Sequence, residues 1–221
     1  MKLIVIIPAY NEEKNIGSVI KKCKAYSNEI IVIDDGSKDN TFKVAEKEGA
    51  LVLRHRINLG KGAALKTGCD AALLKKTESI VILDSDGQHD PDEVPSFLEK
   101  LRDNDIVFSR RVKRDNMPFV AKIGNDFFSF VSRTLFGVKL NDPQSGFRAF
   151  TSDCYRKIRW DSIGYSVENE IIAKVGVKKL KYAEIPIKTI YKDNYKGTTV
   201  IDGISILFDM VMLKLVSRKW S

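Results

Sequence analysis

The chain has 221 residues, with 37 Lys and Arg against 29 Asp and Glu, a formal net charge of +8, and 43% hydrophobic and 30% charged residues. That balance excludes global disorder, and the length suits one large domain with a full core. The basic excess favours phosphates, nucleotides or an anionic lipid surface as partners; without an RNA-binding signature or zinc-ligand spacing, nucleic acid is not expected.

Leu3-Ile4-Val5-Ile6-Ile7 reads as a buried strand stopped by Pro8, and Asn11 is placed to cap a helix whose first turn carries Glu12 and Glu13. Ile16, Val19, Ile20 and Cys23 make the apolar face of that helix. Glu29 to Ile33 is a second strand running into Asp34-Asp35-Gly36-Ser37, followed by a short helix from Thr41 to Glu48. Ala50 to Leu53 is a third strand, and after Asn58-Leu59-Gly60-Lys61-Gly62 a helix rich in Ala and Gly, from Ala63 to Leu74, can lie close on the sheet.

The fourth strand, Ile80-Val81-Ile82-Leu83, is apolar throughout and ends in Asp84-Ser85-Asp86-Gly87-Gln88-His89. Two carboxylates at the rim of a core raise each other's pKa unless a cation separates them. A hard divalent ion, Mg2+ or Mn2+, bound by one or two carboxylates and completed by substrate phosphates, resolves that conflict. A solvated turn would use the same residue types.

Asp90-Pro91-Asp92-Glu93 opens the next helix, and Ile106 to Ser109 is a fifth strand ending at Arg110-Arg111. Five strand and helix alternations imply an α/β fold with a mostly parallel central sheet and helices on both faces. Ligands bind outside the carboxyl ends of such strands, where every polar cluster named so far falls. Neither Gly-x-Gly-x-x-Gly nor a P-loop occurs, so dinucleotide binding and P-loop chemistry are not expected.

Val112 to Met117 reads as a charged connection and Phe119 to Phe136 as an aromatic-rich helix, whose Phe127, Phe128, Phe130, Val131 and Leu135 suit a core. Asn141 to Arg148 is a compact polar loop. Ser166 is placed to cap a helix from Val167 to Val175, and Ala183 to Ile187 is an edge strand because of Pro186. A basic loop from Tyr191 to Thr199 holds Lys192 and Lys196; an amphipathic helix from Ile201 to Trp220 follows. The domain reading is a single catalytic domain over 1–200 and a helical tail over 201–221.

Cys23, Cys69 and Cys154 are odd in number and far apart, which reads as buried free thiols in a reducing compartment. The apolar run at the amino terminus is too short for a signal peptide, and no run of about 18 apolar residues spans a bilayer. The expected location is the cytoplasm, peripheral on the cytoplasmic face of a membrane.

The ordered set Pro8-Ala9-Tyr10-Asn11-Glu12, Asp34-Asp35-Gly36-Ser37, Asn58 to Gly62, Asp84 to His89, Ser109-Arg110 and Asp142-Pro143-Gln144-Ser145-Gly146-Phe147-Arg148 resembles the inverting family 2 glycosyltransferases of GT-A fold, most closely the polyprenyl-phosphate (dolichol-phosphate) sugar transferases. The resemblance implies that Tyr10, Glu12 and Asp35 hold the base and ribose of a nucleotide sugar, with Pro8, Asn11, Lys61 and Ser85 in the same donor site. It makes Asp84, Asp86 and Gln88 the metal and diphosphate site. Arg110, Lys122, Arg148 and Lys196 are the candidates for an acceptor phosphate; relatives often carry an arginine near Ala121-Lys122 and a Ser-Lys pair where this chain has Thr198-Thr199. The implied reaction moves a sugar, mannose or glucose, from a GDP- or UDP-sugar to a polyprenyl phosphate. A phosphate monoester acceptor, with a second pKa of about 6, needs no general base. A saccharide hydroxyl would need one, and Asp142 is then the acid to nominate. A non-catalytic nucleotide-sugar binder would keep Tyr10 and Asp35 without needing Asp84, Asp86 and Gln88. Relatives with transmembrane helices leave a membrane-embedded partner subunit as a further expectation.

Overall fold

The computed structural model describes residues 2–112, 119–164, 166–188 and 210–215, with the backbone alone over 119–123. Seven strands, β1 (Leu3–Ala9), β2 (Ile30–Asp34), β3 (Leu51–Arg54), β4 (Ser79–Ile82), β5 (Ile106–Arg111), β6 (Arg148–Thr151) and β7 (Tyr182–Ile187), form one sheet in the order β3-β2-β1-β4-β6-β5-β7. All pairs are parallel except those of β6, which runs antiparallel to both β4 and β5.

Both faces of the sheet are buried, and period-two alternation assigns each residue to one of them. Ile4 and Ile6 of β1, with Ile31, Ile33, Ile80 and Ile82, face a core filled by helices α3 (Lys61–Leu74), α5 (Phe119–Phe136), α6 (Ser152–Ile158) and α7 (Val167–Val177). Val5 and Ile7, with Val32, Val81 and Leu83, face α1 (Ile16–Cys23), α2 (Thr41–Lys47) and α4 (Val94–Leu101), where Phe97 stacks on Phe147 with centroids 4.3 Å apart. Close seating of α3 requires its glycine: a Cβ on Gly68 would lie 2.5 Å from Ile33 Cδ1 and 2.6 Å from Ile6 Cγ2.

Several local expectations are corrected. Pro8 does not stop β1; it pairs with Ile33, and its missing N–H is harmless because pairing to β4 has already ended at Ile6. Asn11 does not cap α1. It has φ 56°, its Oδ1 accepts from Lys38 N at 2.8 Å, and Asn15 holds the cap position. Asp90-Pro91-Asp92-Glu93 forms a 3-10 turn, with Asp90 accepting from Asp92 N, before α4 begins at Val94. Ser166 stands at the amino cap of α7 without a side-chain capping bond. The aromatic face of α5 divides: Phe128 and Val131 are buried, whereas Phe127 and Phe130 are 44% and 65% exposed.

Of the tail, residues 210–215 are helical. Met210 is fully buried, and Lys214 Nζ donates to Leu135 O at 2.5 Å, so this segment docks on the carboxyl end of α5. Val211, Met212 and Leu215 face outward. No helix among the described residues is long and apolar enough to cross a membrane. The basic loop with Lys192 and Lys196, the rest of the tail, most of the connection after Arg111, and the side chain of Lys122 lie outside the described residues.

Candidate active site

The carboxyl ends of β1, β2 and β4 bring three polar loops together. The first two are zipped to each other: Asn11 N donates to Ser37 Oγ at 2.9 Å, Glu12 N to Thr41 Oγ1 at 2.8 Å, and Glu13 N to Asp39 Oδ2 at 3.1 Å. Glu12 Oε2 in turn accepts from Asn15 Nδ2 at 2.7 Å. Tyr10, 42% exposed, stands at the rim of this clamp, and Pro8 lies buried beneath it. The motif acids Asp34 and Asp35 are both buried. Asp34 pairs with Arg54 at 3.0 Å and accepts from Ser37 N at 2.9 Å. Asp35 accepts from the Leu59 and Gly60 amides and from His55.

At the end of β4 the two carboxylates part company. Asp84 Oδ1 lies 2.8 Å from Lys61 Nζ, and its backbone N–H donates to His89 Nδ1 at 3.2 Å. Burial would raise the Asp84 pKa, but the Lys61 ammonium, by its charge and its hydrogen bond, outweighs it and holds it at about 2. Burial likewise opposes the Lys61 charge, and Asp84 and Glu168 overcome it, leaving the ammonium firmly protonated. The cation that this acidic pair requires is therefore partly internal. Asp86 instead bonds within its own turn, its two oxygens accepting from Gln88 N and Gln88 Nε2, each at 2.9 Å. Gly87 permits that turn with φ 73°. Ser85 is buried between the two acids.

Lys61 also contacts Glu168 Oε1 at 3.2 Å, and Glu168 Oε2 lies 2.6 Å from Arg148 Nη1. Asp84, Lys61, Glu168 and Arg148 thus form a chain of alternating charge that runs from the half-buried Asp84 and Lys61 into the buried Glu168 and Arg148. In the sequence Glu168 stands only as a first-turn acid of α7; its buried position is not legible there because Lys61 is remote in sequence and Arg148 lies in β6. Gly146 lies against the same chain: a Cβ there would sit 2.6 Å from Asp84 Oδ2 and 2.8 Å from Lys61 Nζ.

Arg148 as an acceptor-phosphate ligand is corrected. It is fully buried, with Nε donating to Ser145 O at 3.2 Å, Nη2 to Pro143 O at 3.0 Å, and its guanidinium over the Phe108 ring. It braces the 143–145 loop and offers no surface to a substrate. Asp142 is also committed: Arg111 Nε and backbone N donate to Oδ2 at 2.7 and 3.0 Å, and Arg111 Nη2 to Oδ1 at 2.8 Å. Arg110, exposed, lines a basic cavity of about 210 Å3 with Arg111, Val112 and Asn141 at the end of β5. Gln144 Nε2 donates to Asn169 Oδ1 at 3.0 Å, tying this loop to α7.

Among the described residues no three His, Cys, Asp or Glu side chains cluster as a closed metal cage. The donor chemistry at the end of β4 still fits Mg2+ or Mn2+. These ions bind through one or two carboxylates and complete their shells with phosphate and water, and Asp86 is a partly exposed carboxylate whose oxygens accept from Gln88 N and Nε2.

The family model for glycosyl transferase family 2 matches residues 4–164. A UDP-N-acetylglucosamine--dolichyl-phosphate N-acetylglucosaminyltransferase of Methanococcus voltae is 35% identical, over 97% of this chain and 97% of that protein. An undecaprenyl-phosphate mannosyltransferase of Micrococcus luteus is 29% identical, over 87% of this chain and 85% of that one. Among solved structures, glucosyl-3-phosphoglycerate synthase of Mycobacterium tuberculosis, in complex with Mn2+, UDP and phosphoglyceric acid, superposes with a TM-score of 0.76 at 21% identity, covering 96% of this chain and 78% of that one. That likeness supports the GT-A fold. The matched span takes in β1 to β6 with all their polar loops, and the chain belongs to glycosyl transferase family 2 and is a glycosyltransferase.

Proposed function

We propose that this glycosyltransferase moves a sugar, with inversion, from a nucleoside diphosphate sugar to a polyprenyl phosphate. The observation that carries the choice of acceptor is the state of Asp142. Both of its oxygens are held by Arg111, and Glu168 is held between Lys61 and Arg148. These two carboxylates, beside β5 and β6, are thus occupied as anchors, which favours a nucleophile that arrives ionised. A phosphate monoester does so; a saccharide hydroxyl does not. The two named relatives, one acting on dolichyl phosphate and one on undecaprenyl phosphate, support the same reading.

In the proposed reaction an acceptor phosphate oxygen bonds to the anomeric carbon as the bond from that carbon to the nucleoside diphosphate breaks, and the electron pair of that bond leaves with the diphosphate. Asp86, with Asp84 and Gln88 beside it, would hold Mg2+ or Mn2+, which stabilises charge on the leaving group. Lys61 is an ammonium already fixed at the same place. Tyr10, Asn11, Glu12 and Asp35 line the donor side, and Arg110 with the basic cavity beside it would take the acceptor phosphate. Alignment of the two substrates supplies much of the remaining rate. With the lipid phosphate at a bilayer surface, the enzyme would work as a peripheral protein there.

The test is nucleoside diphosphate release from a panel of UDP- and GDP-sugars with polyprenyl phosphate in detergent, with and without Mn2+, followed by determination of the product's anomeric configuration. Release that requires both lipid phosphate and metal, with an inverted product, is the expected result. Transfer to saccharide hydroxyls but not to lipid phosphate would overturn the acceptor assignment.

A further inference from the structure

Behind Asp35 runs a part-buried hydrogen-bonded chain whose other members, His55 and Thr67, have no part in the reaction as written above. Asp35 is 4% exposed and its carboxylate already serves three protein donors. Its Oδ1 accepts from His55 Nδ1 at 2.7 Å and Leu59 N at 2.9 Å, and its Oδ2 accepts from Gly60 N at 2.8 Å. On the far side of the imidazole, His55 Nε2 lies 3.0 Å from Thr67 Oγ1 in α3. A carboxylate only accepts, so Nδ1 carries the hydrogen that faces Asp35, and Nε2 shares a hydrogen bond with the Thr67 hydroxyl. The ring is fixed at both ends, and its backbone N–H donates to Asp34 O at 2.9 Å.

Two consequences follow. A carboxylate offers about four acceptor positions, so the bonds above leave Asp35 one, on Oδ2. The amides it holds, Leu59 and Gly60, immediately precede Lys61, whose ammonium lies 2.8 Å from Asp84. Gly60 sits at φ 95° against the Ile163 carbonyl, where even a Cβ would come within 2.5 Å, so this loop has little room to move.

We propose that His55 is a positioning residue of the donor site: it locks the Asp35 carboxylate, which then presents a single acceptor position to the nucleobase while pinning the loop that places Lys61. This rests on the reading of Asp35 as a donor-nucleotide residue, and the experiment separates the two. His55→Phe keeps a flat ring but removes both polar bonds. It should raise the donor KM about 10-fold, with kcat within about twofold and the acceptor KM unchanged, the pattern of lost donor binding. Calorimetric affinity for the nucleoside diphosphate should fall by the same factor. Thr67→Val, nearly isosteric, should move the same constants about two- to threefold, and it keeps the proposal testable if His55→Phe folds poorly. His55→Gln, which retains a donor for Asp35, should restore part of the affinity. A purely structural role would lower the melting temperature and the active fraction, hence kcat, and leave the donor KM in place.

Asp35→Asn is the reference. If it weakens nucleotide binding while His55→Phe and Thr67→Val leave the donor KM unchanged, the positioning role is wrong and the donor reading stands. If Asp35→Asn itself leaves nucleotide affinity unchanged, the donor reading fails and the role of His55 falls with it.

Discussion

Asp84 and Asp86 are equivalent in the sequence and unequal in the structure. The sequence argument, that two acids at a strand end need a cation between them, had the right electrostatics but counted only an external ion. Lys61 neutralises Asp84 from within, and Asp86 is the acid assigned to the metal in the proposed reaction. Asp86→Ala should therefore abolish turnover, by about a thousandfold or more if a leaving-group cation is lost, while the thermal midpoint stays within a few degrees because the side chain is partly exposed at the end of a strand. Metal-dependent release of nucleoside diphosphate by a normally melting Asp86→Ala protein would refute the assignment. The same cluster makes a second prediction. A Cβ on Gly146 would fall 2.6 Å from Asp84 Oδ2 and 2.8 Å from Lys61 Nζ, so Gly146→Ala must push this ion pair aside. Activity should drop at least 10-fold with a stability loss of about 1–3 kcal/mol; full activity in Gly146→Ala would mean that the pair can shift freely and does not define the site. Arg148 shows where reading by type fails. An arginine closing a polar motif looks like an anion ligand, and only its place in β6, between two strands, reveals that it is buried.

At the scale of elements, long apolar runs were legible and short mixed ones were not. β1, β2 and β4 follow from consecutive β-branched residues, and α5 from 18 residues of helical spacing. β6 is four residues, Arg-Ala-Phe-Thr, beginning with the very arginine that ends the polar loop; nothing local distinguishes it from a continuation of that loop. Its antiparallel insertion between β4 and β5 is a tertiary choice, made by pairing on both sides. α7 carries the matching lesson for charge. Its first-turn acids suit the helix dipole, yet both are buried. Glu170 accepts from Asp161 N and from Ser162 N and Oγ, and lies 2.7 Å from Lys174 Nζ. Burial would raise its pKa, but the Lys174 and Ser162 bonds prevail and depress it. A depressed carboxylate contributes stability above its unfolded value, about 4.3, and loses that contribution as pH falls through the lower folded value. Glu170→Gln removes the anion 2.7 Å from the buried Lys174 ammonium and should cost about 3 kcal/mol at neutral pH. The deficit relative to the parent protein should shrink as both are acidified below about pH 4, where the unfolded parent carboxyl takes up its proton. Chemical denaturation at pH 7 and at pH 3 measures both; an equal deficit at the two pH values would show that Glu170 acts by shape and not by charge.

On the scale of the whole molecule, polar clusters at strand ends point to a ligand site outside the carboxyl ends of the sheet, and the loops after β1, β2 and β4 do meet there. A contact with a bilayer would use a different surface. The formal charge is +8. On α5, Phe127 and Phe130 are exposed, and Val211, Met212 and Leu215 face outward from the segment docked on its end. Exposed aromatic and aliphatic side chains on a cationic protein fit an interfacial contact with an anionic bilayer. Deleting the tail is a poor test of this, because Met210 is fully buried and its removal would open the core under α5. Point changes on the outward face avoid that. Full-length protein should float with anionic liposomes at low salt, and binding should weaken as salt screens the electrostatic part. Phe127→Ser with Phe130→Ser should reduce the bound fraction several-fold without lowering the melting temperature, since neither ring is buried. The pair should also raise the apparent KM for lipid acceptor presented in vesicles while leaving the donor KM unchanged. If the double variant floats as well as the parent and handles vesicle-borne acceptor equally well, the exposed rings of α5 are not the membrane contact.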